Sequence, residues 1–319
     1  MQNVNHYQYM REVSVIITTY NRPAKTLCRA VASVAAQTYP DINLAIVDDN
    51  PDNDKLSDDT IRLLNDTYGK KILYLSYKGS KGACFARNYG VKNTIGDYIS
   101  FLDDDDEWLP DKIAEQVAVI ESKNCAMVTC DSNLVQFDND GNPFEEDSSY
   151  TESVTITRED LFTQGNVIGG ASFPLMRRDC FINAGGFTEG LKACQDWDLW
   201  IRMLATGTAV RIPKALTKYY WTPGANISMN WDSKFEGISY MIRTHADLAP
   251  NKKGWIAQQY LFLADLALTL KRYNDTIRYS SKAMLTWPSV KVIKKSFTQV
   301  ITLLKLCVWY QIRYHQAGK

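Results

Sequence analysis

Several things are missing from this 319-residue chain, and each absence removes a class of function. Net charge is missing, since 36 Lys and Arg balance 36 Asp and Glu. No global field therefore draws the chain to nucleic acid, and no nucleic-acid partner is expected. Histidine is scarce at three residues, and the seven cysteines, at positions 28, 84, 125, 130, 180, 194 and 307, are odd in number and contain no C-x-x-C pair. A zinc site or a disulfide framework is thereby disfavoured, and a reducing compartment fits best. No apolar run reaches the roughly 18 to 20 residues that span a bilayer. The best candidate, 300–310, is cut by Lys305. The opening MQNVNHYQYMREVSV has no basic stretch leading into an apolar core, so it does not read as a signal peptide. The expected location is cytoplasmic, soluble or peripheral on the inner face of the membrane. A Walker loop and a G-x-G-x-x-G are also absent, which takes the main support from P-loop hydrolases and dinucleotide dehydrogenases.

What is present reads as an ordinary folded protein, with 45% hydrophobic and 23% charged residues. Single cores stop growing at roughly 250 to 300 residues, so one large domain plus an appendage is expected. Val13 to Thr19 (VSVIITT) is a β-branched run suited to a strand buried on both faces. Asn21 then reads as a helix cap, with Leu27, Ala30, Val31 and Val34 at helical spacing behind it. Strand and helix candidates continue to alternate: strands at 44–47, 72–77 and 98–102, helices at 61–68, 83–94 and 110–122, and a further strand at 126–131. Such alternation implies βαβ units and a mostly parallel sheet. Beyond that, an Asn139-Asp140-Gly141 turn and scattered glycines predict a mixed sheet building the acceptor side of a cleft. From Trp231 onward the pattern is helical, with a helical hairpin over 260–288.

The sharpest chemical feature is YISFLDDDDEW, an apolar strand ending in Asp103, Asp104, Asp105 and Asp106. In open α/β sheets ligands sit at the carboxyl ends of strands, where these acids fall. An extended backbone there would send Asp103 and Asp105 one way, and Asp104 and Asp106 the other. Mg²⁺ or Mn²⁺ would relieve their repulsion while sharing its shell with the phosphates of a nucleoside diphosphate. A solvated charge run or a set of helix caps before Pro110 is the plain alternative. Thr19, Tyr20 and Asn21 end the first strand, and Asp48-Asp49-Asn50 ends the next, placing a base-acceptor and a stacking ring at one rim, with a simple turn as the plain alternative for Asp-Asp-Asn. The stretch KGSKGACFARNYG offers a helix entry with Lys81 and Arg87 to meet phosphate.

These pieces in this order resemble glycosyltransferase family 2. The segments that carry the resemblance are VSVIITTYNR, LAIVDDN, KGACFARNYG, GDYISFLDDDDEWLPDKI, GGF at Gly185 and QDWDLWIRM from Gln195, over roughly residues 12 to 228. The resemblance implies an α/β GT-A fold, Rossmann-like, with a mostly parallel mixed sheet flanked by helices. It divides the chain into a catalytic domain over 1–230 (nucleotide-binding about 12–125, acceptor-binding about 126–230) and a helical, basic region over 231–319. It implies an inverting transferase using a nucleotide-diphosphate sugar, most naturally UDP-linked, with a divalent cofactor (Mn²⁺ or Mg²⁺). Thr19, Tyr20, Asn21 and Asp49 are then nucleotide-binding, Arg87 a phosphate or base contact, and Asp103 and Asp105 the D-x-D element, with Asp105 the principal metal ligand. Asp104 is placed to reach the ribose and Asp106 the donor sugar. Asp196 matches the general base; outside the resemblance it reads as an acid favoured at a helix start. Trp197, Trp200 and Trp221 are candidates to stack on a sugar, with helical-core packing as the alternative for Trp200. Where many relatives carry a metal-completing histidine, this chain has YYWTPGANIS with Thr222 near that place, leaving water or Asn226 as the third ligand.

Everything after Asp275 contains eight Lys or Arg and no acid. The segment Ser289 to Tyr314 suits either a basic amphipathic helix on an anionic membrane or a helix packed on the protein with its lysines in water. Membrane contact would point to a lipid-linked or growing glycan acceptor in bacterial cell-surface polysaccharide (O-antigen or capsule) synthesis. Two other function classes are consistent with strand-end acids: a metal-dependent nucleotidyltransferase, and a non-catalytic scaffold acting through its tail.

Overall fold

The structure, a computed structural model, describes residues 11–137, 143–147, 152–221 and 230–317, with side chains described as far as Lys305. The chain forms two compact units, one of residues 1–190 with 195–223, the other of residues 191–194 with 224–319.

The first unit begins with strictly alternating elements: β1 (Val13–Thr19), α1 (Ala24–Ala35), β2 (Ile42–Asp48), α2 (Asp58–Tyr68), β3 (Leu73–Ser76), α3 (Ala83–Lys92) and β4 (Tyr98–Asp103). The β-branched run of β1 is buried nearly throughout, as a central parallel strand requires. Leu27, Ala30, Val31 and Val34 form the buried face of α1, as their spacing predicts. The helix does not start where a capping Asn21 would put it. Pro23 occupies the cap position without a side-chain cap bond, because a residue preceding proline is pushed out of helical geometry and Arg22 cannot be the first helical residue. Asn21 instead turns the chain at a φ of 50° and donates its N–H to Asn50 Oδ1 at 2.6 Å.

After β4 come β5 (Glu107–Trp108), α4 (Lys112–Lys123), β6 (Met127–Phe137), β7 (Pro143–Asp147), β8 (Val154–Ile156), α5 (Arg158–Thr163), β9 (Leu175–Arg177), α6 (Arg178–Asn183), α7 (Gln195–Met203) and β10 (Ala209–Tyr220). The ten strands make one sheet in the order β3-β2-β1-β4-β9-β6-β10-β5, with β7 beside β6 and β8 beside β10. Pairing is parallel from β3 to β4 and between β6 and β10, and antiparallel around β9, β5, β7 and β8. The mixed second half matches the loss of regularity in the sequence. β6 and β7 pair antiparallel, as a hairpin over Asn139 to Gly141 would have them, though that turn lies outside the described residues. Gly90 lets α3 press onto the sheet: a Cβ there would lie 2.5 Å from Ile16 Cγ2.

The second unit is helical: α8 (Trp231–His245), α9 (Lys252–Thr269), α10 (Tyr273–Thr286) and α11 (Val290–Ala317). The hairpin expected over 260–288 is the α9–α10 pair. A small core of Ala257, Leu261, Ala283 and Val292 joins α9, α10 and α11. Gln299 of α11 adds a buried polar clasp, donating to Leu261 O and Asp265 Oδ1 at 2.8 Å each and accepting from Ser280 Oγ at 2.8 Å.

Candidate active site

Order β3-β2-β1-β4 places β1 at the point where the chain reverses its direction of travel across the sheet, which is where α/β sheets open a crevice. Register puts Thr18 opposite Asp103 and Thr19 opposite Asp48, so three strands end level. The acids beyond β4 do not stay extended as the strand pattern suggests. They turn, with Asp106 N–H donating to Asp103 O at 3.0 Å, because β5 must enter an antiparallel pairing with β10. Burial alternates along the turn, with Asp104 and Asp106 buried and the side chains of Asp103 and Asp105 34% and 33% exposed, but the expected division into two sides does not hold, since Asp104 and Asp105 share the Arg22 guanidinium.

Each acid has a distinct set of partners. Asp104 accepts from Thr19 Oγ1 and from Arg22 Nε, both at 2.8 Å. Burial nevertheless pushes its pKa up to about 6. Asp105 accepts from Arg22 Nη2 at 2.8 Å, and burial with the nearby Asp103 charge raises its pKa against the pull of Arg22. Asp106 accepts from the Tyr220 N–H and from Ser172, and burial holds its pKa well above the usual carboxylate range. In this arrangement Asp104 and Asp106 are engaged with the protein itself, so the expected ribose and donor-sugar contacts require those bonds to be shared or exchanged. Arg29 steadies the turn by donating to Asp105 O at 2.5 Å and stacking its guanidinium 3.7 Å from the Tyr220 ring centroid.

Asp49 directly follows the last residue of β2, but its carboxylate is occupied. Oδ1 accepts from Tyr77 Oη and Lys81 N at 2.7 Å each, and Oδ2 from Ser80 Oγ at 3.1 Å and Gly82 N at 2.9 Å. A carboxylate has about four acceptor sites, so a base N–H needs one of these donors to withdraw. Asp49 therefore shapes the loop that leads into α3, where Gly82 adopts a φ of 86°. Its neighbour Asp48 is fully buried and binds Asn50, Leu56 N and Tyr74. Tyr20 stands 56% exposed beside Thr19.

Arg87 joins the acidic turn to α7. Its guanidinium donates to Asp103 Oδ1 at 2.6 Å and Gln195 Oε1 at 3.1 Å, and lies 5.2 Å from the Phe187 ring centroid. Burial opposes its charge, yet Asp103 and Asp196 together hold its pKa above the ordinary value. Asp196 follows Gln195 in the first turn of α7. Its Oδ1 is buried and accepts no hydrogen bond among the described residues. Burial pushes the Asp196 pKa up to about 6, with Arg87 pulling it down and Asp103 pushing it up. Asp198 is the structural acid of the same helix, accepting from Thr188 Oγ1 at 2.7 Å and Arg202 Nη2 at 2.6 Å. Trp200 is wholly buried with its indole N–H on Gly169 O, and Trp197 donates to Leu161 O. Thr222 and Asn226 lie outside the described residues.

The model of the family described as "Glycosyl transferase family 2" matches residues 14–183. The chain belongs to this family. A glycosyltransferase of Rickettsia typhi, RT0329, is 34% identical over 286 residues, covering 87% of this chain and 86% of that one. WcaA of Escherichia coli K12, whose name assigns it to colanic acid biosynthesis, is 29% identical over 245 residues, covering 74% of this chain and 81% of the relative. Among solved structures, S. aureus TarS 1-349 in complex with UDP-GlcNAc superposes with a TM-score of 0.60 at 18% identity, covering 86% of this chain and 81% of that one. That likeness establishes the fold. Family membership makes the chain a glycosyltransferase and sets aside the nucleotidyltransferase and scaffold alternatives.

Four residues of this glycosyl transferase family 2 site were not singled out from sequence. Arg22 and Gln195 sit beside residues that were, inside TYNRP and QDWDLW. Asn88 likewise follows Arg87 inside KGACFARNYG, and it makes two bonds to the Phe187 backbone, at 2.9 Å each. Ser172 accepts Asp103 N–H at 3.0 Å and receives Trp108 Nε1–H on its carbonyl, contacts set by β9 packing rather than by any motif.

Proposed function

We propose that the chain is an inverting transferase that moves a sugar from a nucleoside diphosphate donor, UDP-linked, to a hydroxyl of a glycan or lipid-linked oligosaccharide in cell-surface polysaccharide synthesis. The observation that carries this reading is the Asp196 oxygen, buried and without a hydrogen-bond donor, held beside the Arg87–Asp103 pair at the end of β4. A carboxylate oxygen that no donor occupies is poised to take a proton from a bound hydroxyl. As that proton passes to Asp196, the hydroxyl oxygen bonds to the anomeric carbon, and the bond from that carbon to the diphosphate breaks on the opposite face. The nucleoside diphosphate leaves and the configuration inverts. Base assistance of this kind contributes about 10²- to 10⁴-fold.

Donor binding draws on the rim. Tyr20 stacks on the base, Thr19 and Asn21 line its edge, and Arg87 presents positive charge towards the phosphates. Asp103 and Asp105 fit a divalent cation: they are hard oxygen donors, a third exposed, mutually repelling, and each has one oxygen on an arginine. Mg²⁺ or Mn²⁺ held there would supply charge neutralisation for the departing diphosphate. Support for a UDP donor comes from TarS, solved with UDP-GlcNAc and with UDP. Support for a polysaccharide role comes from the name of WcaA.

The test is a thermal-shift and hydrolysis screen of UDP-, GDP- and dTDP-sugars, with and without Mn²⁺. A UDP-sugar should stabilise the protein only with metal, and Asp105→Ala should abolish that dependence. Metal-independent UDP affinity that is unchanged in Asp105→Ala would overturn the assignment.

A further inference from the structure

Among the described residues, helix α11 buries one face and leaves an apolar stripe exposed on another. Val292, Ser296, Gln299 and Leu303 are buried among α9 and α10. On the other side of the same helix Val290, Phe297, Ile301 and Leu304 are 70%, 57%, 49% and 58% exposed. At 3.6 residues per turn these four positions fall within about a sixth of the circumference. Lys294 and Lys305 border the stripe on one side, with Lys291 beyond them, and all three are exposed. Exposed apolar side chains occur singly on most proteins, but four aligned on one helix face mark an interaction surface.

We propose that this stripe is a membrane-contact face, on which α11 lies in the plane of an anionic bilayer with Phe297, Ile301 and Leu304 entering the headgroup boundary and Lys294 and Lys305 reaching the lipid phosphates. The charge pattern selects this occupant. No acid occurs after Asp275, whereas eight Lys or Arg do. A second copy packed on the stripe would bring lysine rows together with no carboxylate from this region between them, which opposes self-association. An anionic lipid surface supplies the missing negative charge continuously, and long lysine side chains let their apolar stems follow the helix while the ammonium groups stay at the phosphate level. Among the described residues no helix is long and apolar enough to cross a membrane, so the contact is interfacial.

The tail's two candidate roles are thus carried by two faces of one helix, packing on one and lipid on the other. Lipid contact through this face is independent of the sugar donor and of catalysis, so it can be measured without substrate. Full-length protein is sedimented with vesicles of phosphatidylcholine containing phosphatidylglycerol, and with vesicles of phosphatidylcholine alone. Binding to the anionic vesicles only is expected. Lys294→Gln with Lys305→Gln should weaken it about 25-fold, from roughly fivefold per lysine. Phe297→Ser with Ile301→Ser should weaken it by more than about tenfold. Both variants change exposed positions and should keep the wild-type melting curve. Wild type that fails to sediment would sink the proposal. So would apolar substitutions that leave binding intact, which would indicate charge adsorption without insertion. A lipid-free dimer that Phe297→Ser with Ile301→Ser converts to monomer would reassign the stripe to contact between copies.

Discussion

Asp196 sits where two demands conflict. As a base it must be ionised, yet burial favours its neutral form and sets its pKa at about 6. Turnover should therefore rise with pH through about 6 and level off above it, read from a kcat/KM profile. Stability runs the other way. For an acid whose folded pKa lies above its unfolded value near 4, the stabilising contribution is complete below about pH 4 and is lost as pH rises through about 6. Asp104, also at about 6, adds in the same direction. Asp196→Asn should accordingly keep UDP binding, lose at least about 10²-fold in transfer, and melt no lower than wild type at pH 8. Near-normal turnover would remove Asp196 as the base, and a fall in melting temperature would show that its charge stabilises the fold. Its partners separate it from Asp198, two residues on, which is paired with Arg202 and takes a hydrogen bond from Thr188. No rule of residue spacing distinguishes the two.

At the scale of elements, α3 does more than its composition announces. It packs against β1 and β2 through Gly90, carries Arg87 to the acidic turn, and uses Asn88 to hold the Phe187 backbone. Gly90→Ala would gain helix propensity of about 1 kcal/mol. The new methyl, however, would meet Ile16 and Val47 in a closely packed core. Overpacking costs about 1 to 3 kcal/mol, so a lower urea midpoint and a reduced kcat/KM, through displaced Arg87, are expected together. An unchanged midpoint would mean the helix shifts freely and does not position Arg87. In the second unit, Gln299→Ala should lower the unfolding free energy by about 1 to 3 kcal/mol, read from a urea titration, by stranding the buried Ser280 hydroxyl. Deletion of α11 would remove Val292, Gln299 and Leu303 from the unit's interior along with the exposed stripe. Substitutions confined to the exposed face avoid that.

For the molecule as a whole, local pattern was informative wherever the physics is local. β1 was delimited to the residue by its β-branched run, and the βα alternation announced the parallel half of the sheet, because period and propensity reside in neighbouring residues. The four acids had to lie at a strand end, since an apolar strand stops where charge begins. The helical tail and its basic balance were likewise written in the order of residues. Tertiary structure decided what those groups meet. It turned the acids to bring β5 against β10, filled Asp49 with donors from the loop before α3, set Arg22 between Asp104 and Asp105, and carried Asp196 across more than a hundred positions of sequence to Arg87. It also showed that α11 buries one face and exposes another. These outcomes depend on which distant segments pack together, and a carboxylate's role follows from the donors and burial that packing brings to it.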